Sequence, residues 1–318
     1  MKKFIIKIFQ FTILLTISAY ILGYLLNKGI EKLGDRDTNI WDNIIHSRIH
    51  SNVIINGSSR VWVHISPQIL DSLLHVDSYN LGIDGYPFNM QDVRFKIFEK
   101  YNKKPQLIIQ SADLNTLYRR SDPYNKSQFF NYMREPLLQD ELIMMKGFSS
   151  FDFYIPALCY RSNLLSIYDG LTGFLDMKHY NTEGVYKGYK GQDQKWNGIE
   201  LEKILSGDSL VSEIDPKIVQ QFDFFLNYCK GNNIQVIMVF PPEYIKATEF
   251  TKNKQEVIDI YRSFSKKYDF SFLDYSTDSL CYDTTYFYNA QHLNKTGAEL
   301  FSTKLAHDID SLGILKKK

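Results

Sequence analysis

Five short apolar runs, each closed by a turn and separated by stretches of helical period, constrain this chain more than any other feature. Val53-Ile54-Ile55 ends at Asn56-Gly57-Ser58-Ser59, and Ser78-Tyr79-Asn80-Leu81 ends at Gly82. Leu107-Ile108-Ile109 ends at Ser111-Ala112-Asp113, Ile234 to Phe240 stops at Pro241-Pro242, and Phe270 to Leu273 is the fifth. Between them lie helical patterns. Ser66-Pro67 is a cap with a first-turn proline, followed by Ile69, Leu70, Leu73 and Leu74. Phe88 to Tyr101 repeats the period, and Asp215-Pro216 opens a helix that Gly231 is expected to close. Val257, Ile260, Tyr261 and Phe264 mark another helix, and Asn294 caps the last. Such alternation predicts an α/β layered fold with a parallel sheet. Right-handed crossovers then bring the strand C-termini to one edge, where ligands bind in sheets of this kind. Ser59, Gly82, Asp113 and Glu243 are therefore expected to converge.

The alternation breaks over residues 114–215, which hold sixteen aromatics between Tyr118 and Trp196. An interruption this long is either a functional insertion or a subdomain. Tyr186, Tyr189 and Trp196 could stack on sugar rings, or the aromatics could simply pack the insertion. The net charge of +1 supplies no global field for nucleic acid, so no nucleic-acid partner is expected. Cys159, Cys229 and Cys281 form neither a disulfide framework nor a zinc pattern. His46 and His50 stand four apart without a third ligand, so no metal and no cofactor are expected. His64, five residues after Ser59, either lines the site or is an ordinary histidine at the sheet edge.

The N-terminus carries Lys2, Lys3 and Lys7 before an apolar run from Ile8 to Leu26. At about 1.5 Å per helical residue this run spans roughly 30 Å, the thickness of a hydrocarbon core. The lysines favour a cytoplasmic N-terminus and an extracytoplasmic remainder. Residues 1–27 are read as an uncleaved single-pass signal anchor in the inner membrane, crossing at residues 8–26. A cleaved signal peptide is the rival reading, though no small-x-small site follows Leu26. The expected organisation is anchor 1–27, juxtamembrane segment 28–50, first part of the domain 51–113, insertion 114–215 and second part 216–318.

Ser59 sits on a strand-to-helix turn that would expose its hydroxyl. His292 stands in a loop before the capped last helix, where it could take the serine proton. Each alone is ordinary; a helix cap and a surface histidine would explain them. Together, in order, the motifs resemble those of the SGNH (GDSL-like) hydrolases. Gly57-Ser58-Ser59 resembles that family's Gly-Asp-Ser block, with Ser59 as nucleophile and Ser58, in place of the aspartate, expected on the oxyanion and substrate side of the site. Tyr79-Asn80-Leu81-Gly82 resembles the second block, whose glycine N–H is an oxyanion donor. Asn289-Ala290-Gln291-His292 resembles the Asp-x-x-His block, with His292 as general base and Asn289 where the carboxylate belongs. The third block, Gly-x-Asn-Asp, is replaced by Ser111-Ala112-Asp113-Leu114-Asn115, leaving Asn115 as substitute donor and Asp113 as a charge that would repel an oxyanion. Asp283 and Glu243 are alternative carboxylates for the imidazole.

The resemblance implies a flavodoxin-like three-layer SGNH-hydrolase fold with a parallel sheet, an N-terminal transmembrane helix and a large aromatic-rich insertion. The variant motif and the anchor look most like extracytoplasmic proteins of envelope-polymer O-acylation, including a group from Bacteroidetes. It implies an esterase or O-acyltransferase in the periplasm, acting on an envelope polysaccharide or another acyl ester through an acyl-serine. A membrane-bound O-acyltransferase is the implied partner. The alternatives are a catalytically weak or inactive glycan-binding scaffold of an acylation complex, and a small-ester or lipid esterase.

Overall fold

The computed structural model describes residues 1–155, 157–161, 163–207 and 209–315. The chain forms two compact units, Met1–Asn43 with Ser121–Glu183, and Ile44–Arg120 with Gly184–Lys318. Residues 184–215, counted with the insertion from the sequence, fall in the second unit.

In the second unit, among the described residues, five strands form one parallel sheet. They are β1 (Val53–Asn56), β2 (Ser78–Asn80), β3 (Leu107–Ser111), β4 (Gln235–Phe240) and β5 (Ser271–Asp274), in the order β2-β1-β3-β4-β5. Register is set by Val53 opposite both Ser78 and Leu107, Leu107 opposite Gln235, and Ile237 opposite Ser271. Every residue of β1, β2 and β3 is buried, which is why the runs read as continuous rather than alternating. All five C-termini therefore point to one edge, as the alternation required.

The helices follow their local signals with two exceptions. Asp215 Oδ1 accepts from Lys217 N–H at 2.8 Å, and Asn294 Oδ1 from Gly297 N–H at 3.0 Å, each satisfying a first-turn donor. Ser66 occupies the cap position of the helix Pro67–Leu74, but its side chain makes no cap bond. Gly231 is the last residue of the helix Pro216–Gly231 rather than its left-handed terminator; Asn233, at φ 57°, takes that conformation. A hairpin not foreseen from the sequence joins β6 (Phe287–Asn289) to β7 (His292–Leu293), with Asn289 opposite His292 across a two-residue turn.

The first unit contains a helix, Lys2–Leu33, long and apolar enough to cross a membrane. It continues past Leu26 and ends at Gly34, whose φ of 73° closes it in the left-handed conformation. Many of the insertion's aromatics are interior. Phe129, Phe130, Tyr132, Phe153 and Tyr160 are buried, with Phe129 and Tyr132 ring-to-ring against Trp41.

Candidate active site

β1 is followed by Gly57, where the chain turns so sharply that a Cβ would lie 2.4 Å from Ser111 Cβ and 2.1 Å from Val61 Cγ2. Only glycine fits there. Ser59 then begins the short helix Ser59–His64. Its Oγ lies 2.9 Å from His292 Nε2, and His292 Nδ1 lies 3.0 Å from Asn289 Oδ1.

The orientation of Asn289 decides what the imidazole can do. Its Oδ1 also accepts from Gln291 N–H at 3.0 Å, closing an Asx turn at the hairpin tip. A backbone N–H can only donate, so the amide atom facing it is the oxygen. The ring nitrogen facing the same oxygen must then carry the proton. His292 is thereby held as the Nδ1–H tautomer, with the Nε2 lone pair turned toward Ser59. Asn289 thus holds the tautomer that leaves Nε2 free to accept a proton. What an amide cannot supply is negative charge to stabilise an imidazolium. Burial, and after it the Arg60 guanidinium, hold His292 down to about 3, so the ring is neutral at physiological pH.

The helix Ser59–His64 grips three consecutive residues of the histidine segment. Arg60 Nη2 donates to Gln291 Oε1 at 2.7 Å, Ser59 Oγ meets His292, and His64 Nε2 accepts from Leu293 N–H at 3.0 Å. His64 is fully buried and its ring crosses that of His292 edge-on, so it fixes the segment from behind rather than lining an open cleft. Accepting at Nε2 requires a neutral ring, and burial holds His64 well below the ordinary histidine range. Tyr288 stacks on the His292 ring at 5.4 Å, a contact the sequence reading did not anticipate.

Four expected roles take a different form. Gly82 N–H donates to Asn80 Oδ1 at 2.9 Å, so it is already engaged within its own loop. Ser58 is buried; its Oγ caps Arg60 N–H at 3.4 Å and donates to Asp113 Oδ2 at 3.3 Å, which makes it a turn residue rather than a substrate ligand. Asn115, with its amide oxygen toward the guanidinium, accepts from Arg60 Nη2 at 2.7 Å. Asp113 takes hydrogen bonds from Ser58, Ser111 Oγ (2.6 Å) and Asn115 N–H (2.8 Å), and lies 3.6 Å from Arg60 Nη1. Its charge is thus directed into this cluster. Asp283 caps a 3₁₀ turn through Thr285, and Glu243 pairs with Arg60, so neither serves His292.

Arg60, next to Ser59 in the chain, is the centre of a buried charge cluster. Its Nε lies 2.9 Å from Glu243 Oε1 and its Nη2 3.1 Å from Glu243 Oε2. The two carboxylates keep the guanidinium protonated against its burial. Burial raises the Glu243 carboxyl, with Arg60 pulling it back and Asp113 adding to the rise. A cavity of about 240 Å³ opens beside the cluster, lined by Asn115, Tyr118, Leu210, Val211, Glu243 and Gln291.

The aromatic candidates of the insertion do not flank Ser59 as a group. Lys187 C=O accepts from Asn80 N–H at 2.9 Å, so the turn Tyr186–Tyr189 covers the open edge of β2. Tyr189 is buried in the core, Tyr186 reaches Asp71, and Trp196 packs edge-on against Tyr244.

No protein-family model and no curated protein matches the chain. Among solved structures it is similar to a chain from Bacteroides fragilis described as a "putative acylhydrolase", at 12% identity over 81% of this chain and 86% of that one, with a TM-score of 0.35. It is also similar to a chain from Streptococcus pneumonia described as a "putative platelet activating factor", at 12% identity over 92% and 99%, with a TM-score of 0.42. The site stands on its own geometry.

Proposed function

We propose that this chain is a membrane-anchored serine acylhydrolase or O-acyltransferase with an SGNH-like domain, acting outside the inner membrane. The observation that carries the reading is the Ser59–His292–Asn289 relay, in which Gln291 N–H fixes the amide and hence the tautomer. In the proposed reaction Ser59 Oγ attacks an acyl carbonyl and His292 Nε2 accepts its proton. The Ser59 N–H, at the start of its helix, is the backbone donor assigned to the oxyanion. His292 returns the proton to the leaving alcohol. Water or a sugar hydroxyl then attacks the acyl-serine, giving hydrolysis or transfer. We assign the substrate to an O-acylated envelope glycan, with a membrane-bound O-acyltransferase as partner, on the strength of the anchor and the motif pattern.

A scaffold that keeps the fold without the chemistry is the second reading. The engaged Gly82 N–H and the uncharged Asn289 favour it. Fluorophosphonate labelling of the full-length protein separates the two. The enzyme reading expects stoichiometric modification of Ser59 and none in Ser59→Ala; an unlabelled wild type would leave the scaffold.

A further inference from the structure

We propose that the first unit carries a lipid-inserting wedge: the exposed side chains of Tyr154, Ile155, Leu164, Leu165 and Tyr168 enter the bilayer that residues 8–26 cross. This rests on reading those residues as an anchor and adds a second membrane contact to it.

The positions of these residues along the helix Lys2–Leu33 follow from its packing contacts. The helix Lys2–Leu33 has no protein cover over its N-terminal part; its first buried residue is Gly23. Beyond that point the helix Leu164–Phe174 lies against it, with Leu26 meeting Gly170 and Gly29 meeting Gly173. A Cβ on Gly29 would lie 1.6 Å from Gly170 O, so the backbones touch and glycine is required. The two contacts share one offset, so the helices run in the same direction. Six residues back along that register, Leu164 comes level with Tyr20. A separate contact agrees, since Tyr20 Oη donates to Tyr154 O at 2.9 Å. Tyr20 lies six residues inside the end of the apolar run, about 9 Å by helical rise. Interfacial helices bury their apolar faces to roughly 5–10 Å.

Exposed apolar side chains cluster at that height, although Tyr20 also shares a cavity lining with Arg134 and Asp152. Leu164 is 81% exposed, Leu165 66% and Tyr154 68%. Single exposed apolar residues are ordinary, but several at one level beside a membrane-crossing helix form a contact surface. The polar cost is reduced locally. Asn163 Oδ1 accepts from Ser166 N–H at 3.0 Å, satisfying a helix-end donor that lipid could not. Tyr154 and Tyr168 are the residue type that favours the headgroup boundary.

The test uses the full-length protein, purified and reconstituted in phosphatidylcholine–phosphatidylglycerol vesicles. Leu164→Cys, Leu165→Cys and, as control, Glu183→Cys are labelled with a polarity-sensitive dye. Glu183 follows Thr182, which packs against Gly34 far above Tyr20. The native thiols are buried, and burial pushes Cys159 and Cys281 to about 12, so the introduced cysteine reacts selectively. Lipids brominated in the upper acyl chain should quench the dye at 164 and 165 on the order of twofold and leave 183 unchanged. Carbonate-resistant protein with unquenched dyes at 164 and 165 would overturn the wedge alone. Release by carbonate would overturn the anchor and the wedge with it. Dyes shielded from water yet unquenched would assign the face to protein contact and also overturn it.

Discussion

The two units break the ordinary rule of burial in opposite directions. The unit with Ser59 buries charge, enclosing Arg60, Asp113 and Glu243 beside the hydroxyl–imidazole pair. The unit with the apolar helix exposes apolar surface along that helix; it buries Asp37, Asp152 and Asp169 elsewhere, while pairs such as Lys28–Glu31 stay half-exposed. Burying charge is costly unless every partner is present, and exposing leucine in water gains nothing. On the proposed reading, each departure marks where a unit meets something other than itself: a reacting group in one, an apolar phase in the other.

The largest expected effect tests the buried side. Ser59→Ala should lower acetyl-ester turnover by about 10³-fold or more and abolish probe labelling. Equal turnover in wild type and variant would remove Ser59 as nucleophile. The charge contrast can be measured directly by urea unfolding. Arg60→Met strands two buried carboxylates and should cost about 3–5 kcal/mol. Lys28→Met removes an exposed pair and should cost less than about 1 kcal/mol. Similar losses from the two would break the comparison.

Asn289→Asp supplies the missing charge. It should speed probe labelling by about tenfold, a fraction of what the reverse change costs in a serine protease. A carboxylate beside the ring also favours its cation, so the acidic limb of the rate profile should move up from the wild-type position. A slower variant with the limb unmoved would mean the amide is the better partner here.

The smallest effect is on pH dependence. With His292 held down to about 3, the base stays neutral and kcat/KM should remain flat through pH 6.5 where a free histidine would begin to fail. Stability behaves differently. The unfolded chain takes up protons near pH 6.5 that the folded His64 and His292 refuse, so folding stability is full above 6.5 and is lost as pH falls toward 3. Thermal melting at pH 7.5 and 5 should show a drop of several degrees, and no drop would mean these rings are not buried neutral.

The chain's local patterns determined the parallel sheet, the shared strand edge, the apolar helix and two of the helix caps. They also placed Ser59 at the end of β1 and His292 ahead of the last helix. These are legible because burial on both faces of a strand requires an unbroken run such as Val53-Ile54-Ile55, and a cap requires one residue type at one position. Tertiary structure alone decided which polar atoms meet. The hairpin that turns Asn289 oxygen toward His292, the three-rung grip by Arg60, Ser59 and His64, and the engagement of Gly82 N–H by Asn80 carry no periodic signal. Hydrogen bonds depend on a few tenths of an ångström and on angle. Partners far apart in sequence are brought within that tolerance only when the whole sheet has packed.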